Sequence, residues 1–149
     1  MNVFDIIGPI MIGPSSSHTA GAVRLGRVAW KLLEDEPVRA EIELTGSFAR
    51  TYRGHGTDKA LVAGIMGFDS DDERIRRSLD IAREKGLELS FTETVIPGAH
   101  PNTARITLGG RGGGRVQVQG ASVGGGNILV TGVNGMAVSF TGQYNTVLV

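Results

Sequence analysis

The second half of the chain constrains the fold class most tightly. Five short segments follow one another there, ELSFTETV, TARITL, RVQVQG, NILVTGV and GMAVSF, with no stretch between them long enough for a helix. Runs of this length rich in Val, Ile, Thr and Phe read as strands. GGRGGG at 109–114 and the Asn134-Gly135 pair are the expected reversals, because Gly and Asn accept the left-handed backbone of tight turns. Strands joined by short reversals run antiparallel, so this half is predicted to be mostly antiparallel sheet.

The first half is of another kind. AGAVRLGRVAWKLL places Ala22, Leu25, Ala29 and Leu32 on one helical face, after GPSSSHT at 13–19, a segment too rich in Gly, Pro and Ser for a helix interior. A loop feeding an amphipathic helix is the expectation. VRAEIELTG alternates Ala40, Ile42 and Leu44 with polar neighbours, the period of a half-buried strand. SFARTYRGHGTDKALVAGIMG sets His55 between Gly54 and Gly56, in a tight loop, before a helical pattern through Leu61 and Ile65. Ser70 and Glu73 form an S-x-x-E capping box ahead of Ile75, Leu79 and Ala82, with Gly86 placed to end that helix. Helices and strands that do not alternate regularly predict an α+β fold, a mixed, largely antiparallel sheet with helices packed on one face.

Composition narrows the function. At 149 residues and 40% hydrophobic content the chain suits one domain with a real core. Fifteen basic residues balance fifteen acidic ones, which leaves no net field to hold nucleic acid or an acidic membrane surface. There is no basic stretch followed by a long apolar run at the start, so a cytoplasmic protein is expected. The cysteine count is zero, which removes disulfides, thiolate nucleophiles and any cysteine-ligated cluster from this chain's own repertoire.

His18, His55 and His100 are the only histidines, and each lies among Gly, Pro, Ser, Thr or Asn. A lone histidine is most often a surface or satisfied core residue. Three in segments of similar character bring a functional role about level with that default. Zinc is poorly supported, since no short H-x-x-x-H spacing occurs and no cysteine completes a common ligand set. GPSSSHTAG offers hydroxyls and backbone N–H groups near a helix N-terminus, suited to a carboxylate or phosphate, although a plain N-cap needs only one of those hydroxyls. Ser17 beside His18 is a weak candidate nucleophile without a G-x-S-x-G elbow. Within GHGTDKA, His55 is a candidate base, because an imidazole accepts a proton near neutral pH, and Thr57 or Asp58 can cap the following helix. In HPNTARITL, His100 and Asn102 could face one pocket with Arg105 available to a carboxylate, while Asn102 alone suits a plain turn. Gly124 to Gly126 form either a bend between strands or a point of close backbone approach.

Taken together, GPSSSHTAG at 13–21, GSFARTYRGHGTDKALVAGIMG at 46–67, HPNTARITL at 100–108 and SVGGGNI at 122–128 resemble the β subunit of iron-sulfur-dependent L-serine dehydratase. The resemblance implies a lyase that converts L-serine to pyruvate and ammonia, active only with an α subunit whose cysteines bind a [4Fe-4S] cluster. It carries the proton-abstracting role to His55, further catalytic roles to His18 and His100, and substrate contacts to Ser16, Ser17, Thr19 and Asn102. It also implies a domain over 1–143, with YNTVLV at 144–149 similar to the first strand of an ACT domain. An uncapped apolar strand there implies homo-association or pairing with a neighbour. The same fold is similar to an anion-binding domain of some phosphoglycerate dehydrogenases, so a non-catalytic anion- or substrate-binding regulatory module is the alternative. Convergence of the three histidines would separate the two, since an anion cradle needs only the serine segment.

Overall fold

The computed structural model describes residues 16–51 and 56–141, and for Ser16, Ser17, His18, Ser47 and Thr51 the backbone alone. The elements run α1 (Ser16–Leu33), β1 (Pro37–Leu44), α2 (Gly46–Thr51), α3 (Thr57–Ile65), a 3-10 turn (Glu73–Arg77) and α4 (Ser78–Glu84). Five strands follow: β2 (Glu88–Glu93), β3 (Thr103–Gly110), β4 (Arg115–Gly124), β5 (Asn127–Val133) and β6 (Met136–Thr141).

The strands form one six-stranded sheet in the order β2-β1-β3-β4-β5-β6. Only β1 and β2 are parallel, and they are the pair whose connection carries the helices α2 to α4 and so can return to the same end of the sheet. Every other pair is antiparallel, and β3 to β6 are joined by the short reversals expected from GGRGGG and Asn134-Gly135. Asn134 and Gly135 both have positive φ, 52° and 82°, as a tight hairpin requires. The α+β reading therefore holds, as do its strands.

Period 2 decides which side is buried. Ala40, Ile42 and Leu44 of β1 sit opposite Leu108, Ile106 and Ala104 of β3, and all six lie under the helices. Val116 and Val118 of β4 and Ile128 and Val130 of β5 extend the same apolar surface. Helix α1 crosses β3, β4 and β5, and α3 packs on α1. The two helices approach through glycines: a Cβ on Gly26 would run into the Leu61 carbonyl, and one on Gly64 into the Val23 carbonyl. The other face is polar. There Arg105 donates to Glu43 at 3.3 Å and to Gln119, and Gln117 donates to Thr107 at 3.0 Å.

Three local expectations are corrected. Ser16 to Thr19 form the first turn of α1 and are not a loop before it. The cap before Ile75 is Asp72, whose carboxylate accepts the Arg74 N–H at 2.8 Å, and not a Ser70–Glu73 box. Asp72 lies closer to the 3-10 turn, and its short side chain reaches the N–H two residues on. The cap of α3 is neither Thr57 nor Asp58: the helix starts from Gly56 with no side-chain cap, and both residues lie buried in its first turn. Residues 144–149 lie outside the described residues.

Candidate functional site

The C-terminal end of β1, the N-terminal end of β3, the C-terminal end of β4 and the N-terminal end of β5 share one end of the sheet. The first turns of α1 come to that end as well. Gly21 lies so close to Ser122, in β4, that a Cβ there would collide with the Ser122 hydroxyl. One turn further along, the Arg24 guanidinium donates to the carbonyl of Gly126. Gly124, Gly125 and Gly126 all have positive φ and make the reversal from β4 to β5, so the glycine run is the bend between strands, and what comes near Gly126 is the Arg24 side chain and not a second backbone.

The HPNT segment is tied to the same place. The Ser122 N–H donates to the Asn102 carbonyl at 3.0 Å, which joins the turn before β3 to the end of β4. Within the turn, Asn102 N–H donates to His100 Nδ1 at 3.0 Å and the Thr103 hydroxyl donates to the His100 carbonyl at 2.7 Å. Gly46, which opens α2, packs against Pro101 so closely that no Cβ fits between them. His100 itself is exposed, Asn102 is half-buried and Thr103 is buried. Thr19 is buried in the first turn of α1, at 7% exposure, which limits direct contact with a ligand unless that turn moves.

The fold thus gathers the start of α1, SVGGG and HPNT, three segments separated by up to a hundred residues of chain. Arg105 is not part of this gathering, because it is engaged with Glu43 and Gln119 on the polar face of the sheet. His55 lies outside the described residues, as do the side chains of Ser16, Ser17 and His18; the chain reaches residue 55 between the end of α2 and Gly56. Two contributors were missed in the sequence. Arg24 is one and Ser122 is the other, the latter fully buried with a hydroxyl that has no hydrogen-bond partner. Arg24 follows Ser17 by seven residues, two helical turns, and that spacing was a usable signal.

A family model described as serine dehydratase beta chain matches residues 2–85, more than half of the sequence. The chain belongs to that family. It is 50% identical over 149 residues to the probable L-serine dehydratase, beta chain, of Bacillus subtilis, covering 99% of this chain and 67% of the relative. It is 45% identical over 148 residues to the L-serine dehydratase, beta chain, of Peptoniphilus asaccharolyticus, with the same coverage of 99% and 67%. An L-serine dehydratase of Mycobacterium tuberculosis is 31% identical over 160 aligned residues, 91% of this chain but 34% of that larger protein. The second-half segments around HPNT and SVGGG fall beyond the family model's match, yet inside the alignments to the two beta chains.

Proposed function

We propose that this chain is the β subunit of an L-serine dehydratase and supplies substrate-binding groups and a proton acceptor to a site completed by an α subunit. The observation that carries the reading is the meeting of α1's first turns, the SVGGG reversal and the HPNT turn at one end of the sheet, through Ser122 and Gly126. A fold that needed only a core would have no reason to bring three polar, glycine-rich segments to one place.

A [4Fe-4S] cluster belongs to the family resemblance, and the residues of this chain do not fit one. The sequence has no cysteine, and among the described residues no group of three or more His, Cys, Asp or Glu comes together. A cluster ligated by thiolates is therefore the partner's to hold. This chain's part concerns the proton and the carboxylate. Serine's α-proton is weakly acidic, so its removal needs a positioned base, and His55 Nδ1 or Nε2 takes it. The N–H groups at the start of α1, with Ser16 and Ser17, suit the substrate carboxylate. Asn102 completes the substrate contacts, joined by Thr19 only if the first turn of α1 moves to expose it, and His18 and His100 stand beside the reacting atoms. Loss of the α-proton and of hydroxide removes one water overall and leaves an enamine. The enamine tautomerises to an imine, which water hydrolyses to pyruvate and ammonia. Homo-association of the chain is a further part of this reading, motivated by the strand-like YNTVLV.

The test is an anaerobic assay of the chain mixed with its cysteine-bearing partner, reading pyruvate from L-serine. Turnover that appears only in the mixture supports the reading. A chain that binds carboxylates or phosphate but adds nothing to the partner's turnover would instead be the regulatory anion-binding module.

A further inference from the structure

Resting on that reading, we infer that the cysteine-bearing subunit docks directly on the site end of the sheet, through an uncharged apolar rim built around Val95 and Val123. Among the described residues three large apolar side chains are exposed: Val95 at 83%, Val123 at 44% and Met136 at 64%. Two of them stand at the site end. Val95 begins the connection that leaves β2, where the Thr94 N–H donates at 2.9 Å to the carbonyl of Leu44, the last residue of β1. Val123 lies at the end of β4, beside the glycine reversal. From one to the other the rim crosses four neighbouring strands, about 15 Å, which suits the centre of an interface burying about 800 Å² on each partner. Single exposed apolar side chains are ordinary. These two differ in what surrounds them.

The chain is 20% charged, yet residues 94–104, which link β2 to β3 and open β3, contain no Asp, Glu, Lys or Arg. Residues 116–149, which take in the reversal from β4 to β5, contain none either, nor do residues 6–23, the last of which form the first turns of α1. Arg24, next along that helix, is turned onto the Gly126 carbonyl. The opposite end of the sheet is different. There Lys31, Glu34, Glu36, Arg111 and Arg115 are all exposed, with Glu36 and Arg111 paired at 2.8 Å. Such charges suit a surface that stays in water, whereas the centre of a protein–protein interface is depleted of them, because each would shed its hydration on docking. The rim is also held in shape. Ala99 N–H donates to the Ile96 carbonyl at 3.1 Å, Ile96 is half-buried, and Pro97 and Pro101 fix their own φ, so little freedom is lost on binding. The occupant follows from what the site lacks. With no cysteine in the sequence and no group of three or more His, Asp or Glu among the described residues, these segments supply only part of a site. The chain that completes it has to close over the end where α1, HPNT and SVGGG meet, and the uncharged rim is the surface it meets.

Binding measurements on the two whole subunits, kept anaerobic, test this. Val95→Lys and Val123→Lys should each raise the Kd for the cysteine-bearing subunit by about tenfold or more, the effect of a charge placed in the water-excluded centre of an interface. Met136→Lys, at the opposite end of the sheet where β6 begins, should leave Kd within about twofold, and thermal melts of all three variants should match wild type. Because the rim carries no charge, Kd should change by less than about tenfold between about 0.1 and 1 M salt. A complex indifferent to both valine substitutions, or one broken by Met136→Lys or by salt, overturns the inference and leaves the proposed function standing. If the valine substitutions instead split a dimer of this chain, seen by sedimentation without the partner, the rim joins two copies and the inference falls as well. Absence of any complex with the wild-type chain overturns both readings.

Discussion

At the scale of single residues, the proposal rests on which imidazole does what. His100 is committed by the turn around it, with Nδ1 already bonded to Asn102 N–H. His55, set between Gly54 and Gly56 in the sequence, is the candidate base of the proposed function. His55→Ala in the complex should lower kcat by about two to four orders of magnitude, the usual worth of a positioned general base, while stability shifts by about half a kcal/mol. Pyruvate formation, exchange of the serine α-proton with deuterated solvent and a thermal melt measure the two effects separately. A variant with near-normal kcat and exchange would pass the role of base to His18 or His100. The sequence made all three histidines visible as candidates because their neighbours were turn-formers. It could not show which way the His100 ring turns onto the Asn102 N–H within the turn, or the buried Ser122 hydroxyl, which follows from an approach of β4 to α1 that no local pattern encodes.

At the scale of elements, what was legible depended on length and period. The five late strands each span several residues of apolar surface with turn residues between them, so period 2 was enough to find them. Helix α2 has only six residues, less than two turns, and no 3.6-residue period can show itself over that length. The misplaced cap has a similar cause: Asp72 and Ser70 both suit an N-cap, and only the observed start of the 3-10 turn at Glu73 chooses between them. The hydrogen bonds from Arg74 hold the Asp72 carboxyl below the usual carboxylate range. A carboxyl depressed in the folded state adds stability above its unfolded pKa, and that contribution is lost as pH falls through the folded value. Asp72→Asn keeps an oxygen for the Arg74 N–H but loses the charge paired with its guanidinium, so it should cost at most about 1 kcal/mol at neutral pH and flatten the acid side of the stability curve, which denaturant titrations at a series of pH values would show. The α1–α3 crossing gives a larger effect. Gly64→Ala would drive a Cβ into the Val23 carbonyl, backbone that cannot step aside, and should cost on the order of 3 kcal/mol, seen as a lowered Tm. An unchanged Tm would mean that the two helices do not meet there.

At the scale of the whole molecule, the fold is a one-sided layer: helices cover one face of the sheet, polar side chains line the other, and the motif-bearing segments meet at one end. No helix among the described residues is long and apolar enough to cross a membrane. In the proposed site this chain would supply a proton acceptor and carboxylate-binding groups but no electrophile for a departing hydroxide, and with zero cysteines the chain cannot build a thiolate-bound cluster to supply one. Its chemistry is half of a reaction. The most direct measurement is anaerobic reconstitution with iron and sulfide of this chain alone, of the cysteine-bearing partner alone and of the two together, followed by absorbance of the cluster and pyruvate production from L-serine. The account predicts cluster absorbance wherever the partner is present, none in this chain alone, and turnover only when both are mixed. Cluster absorbance in the pure chain, or full turnover by the partner without it, would contradict the account.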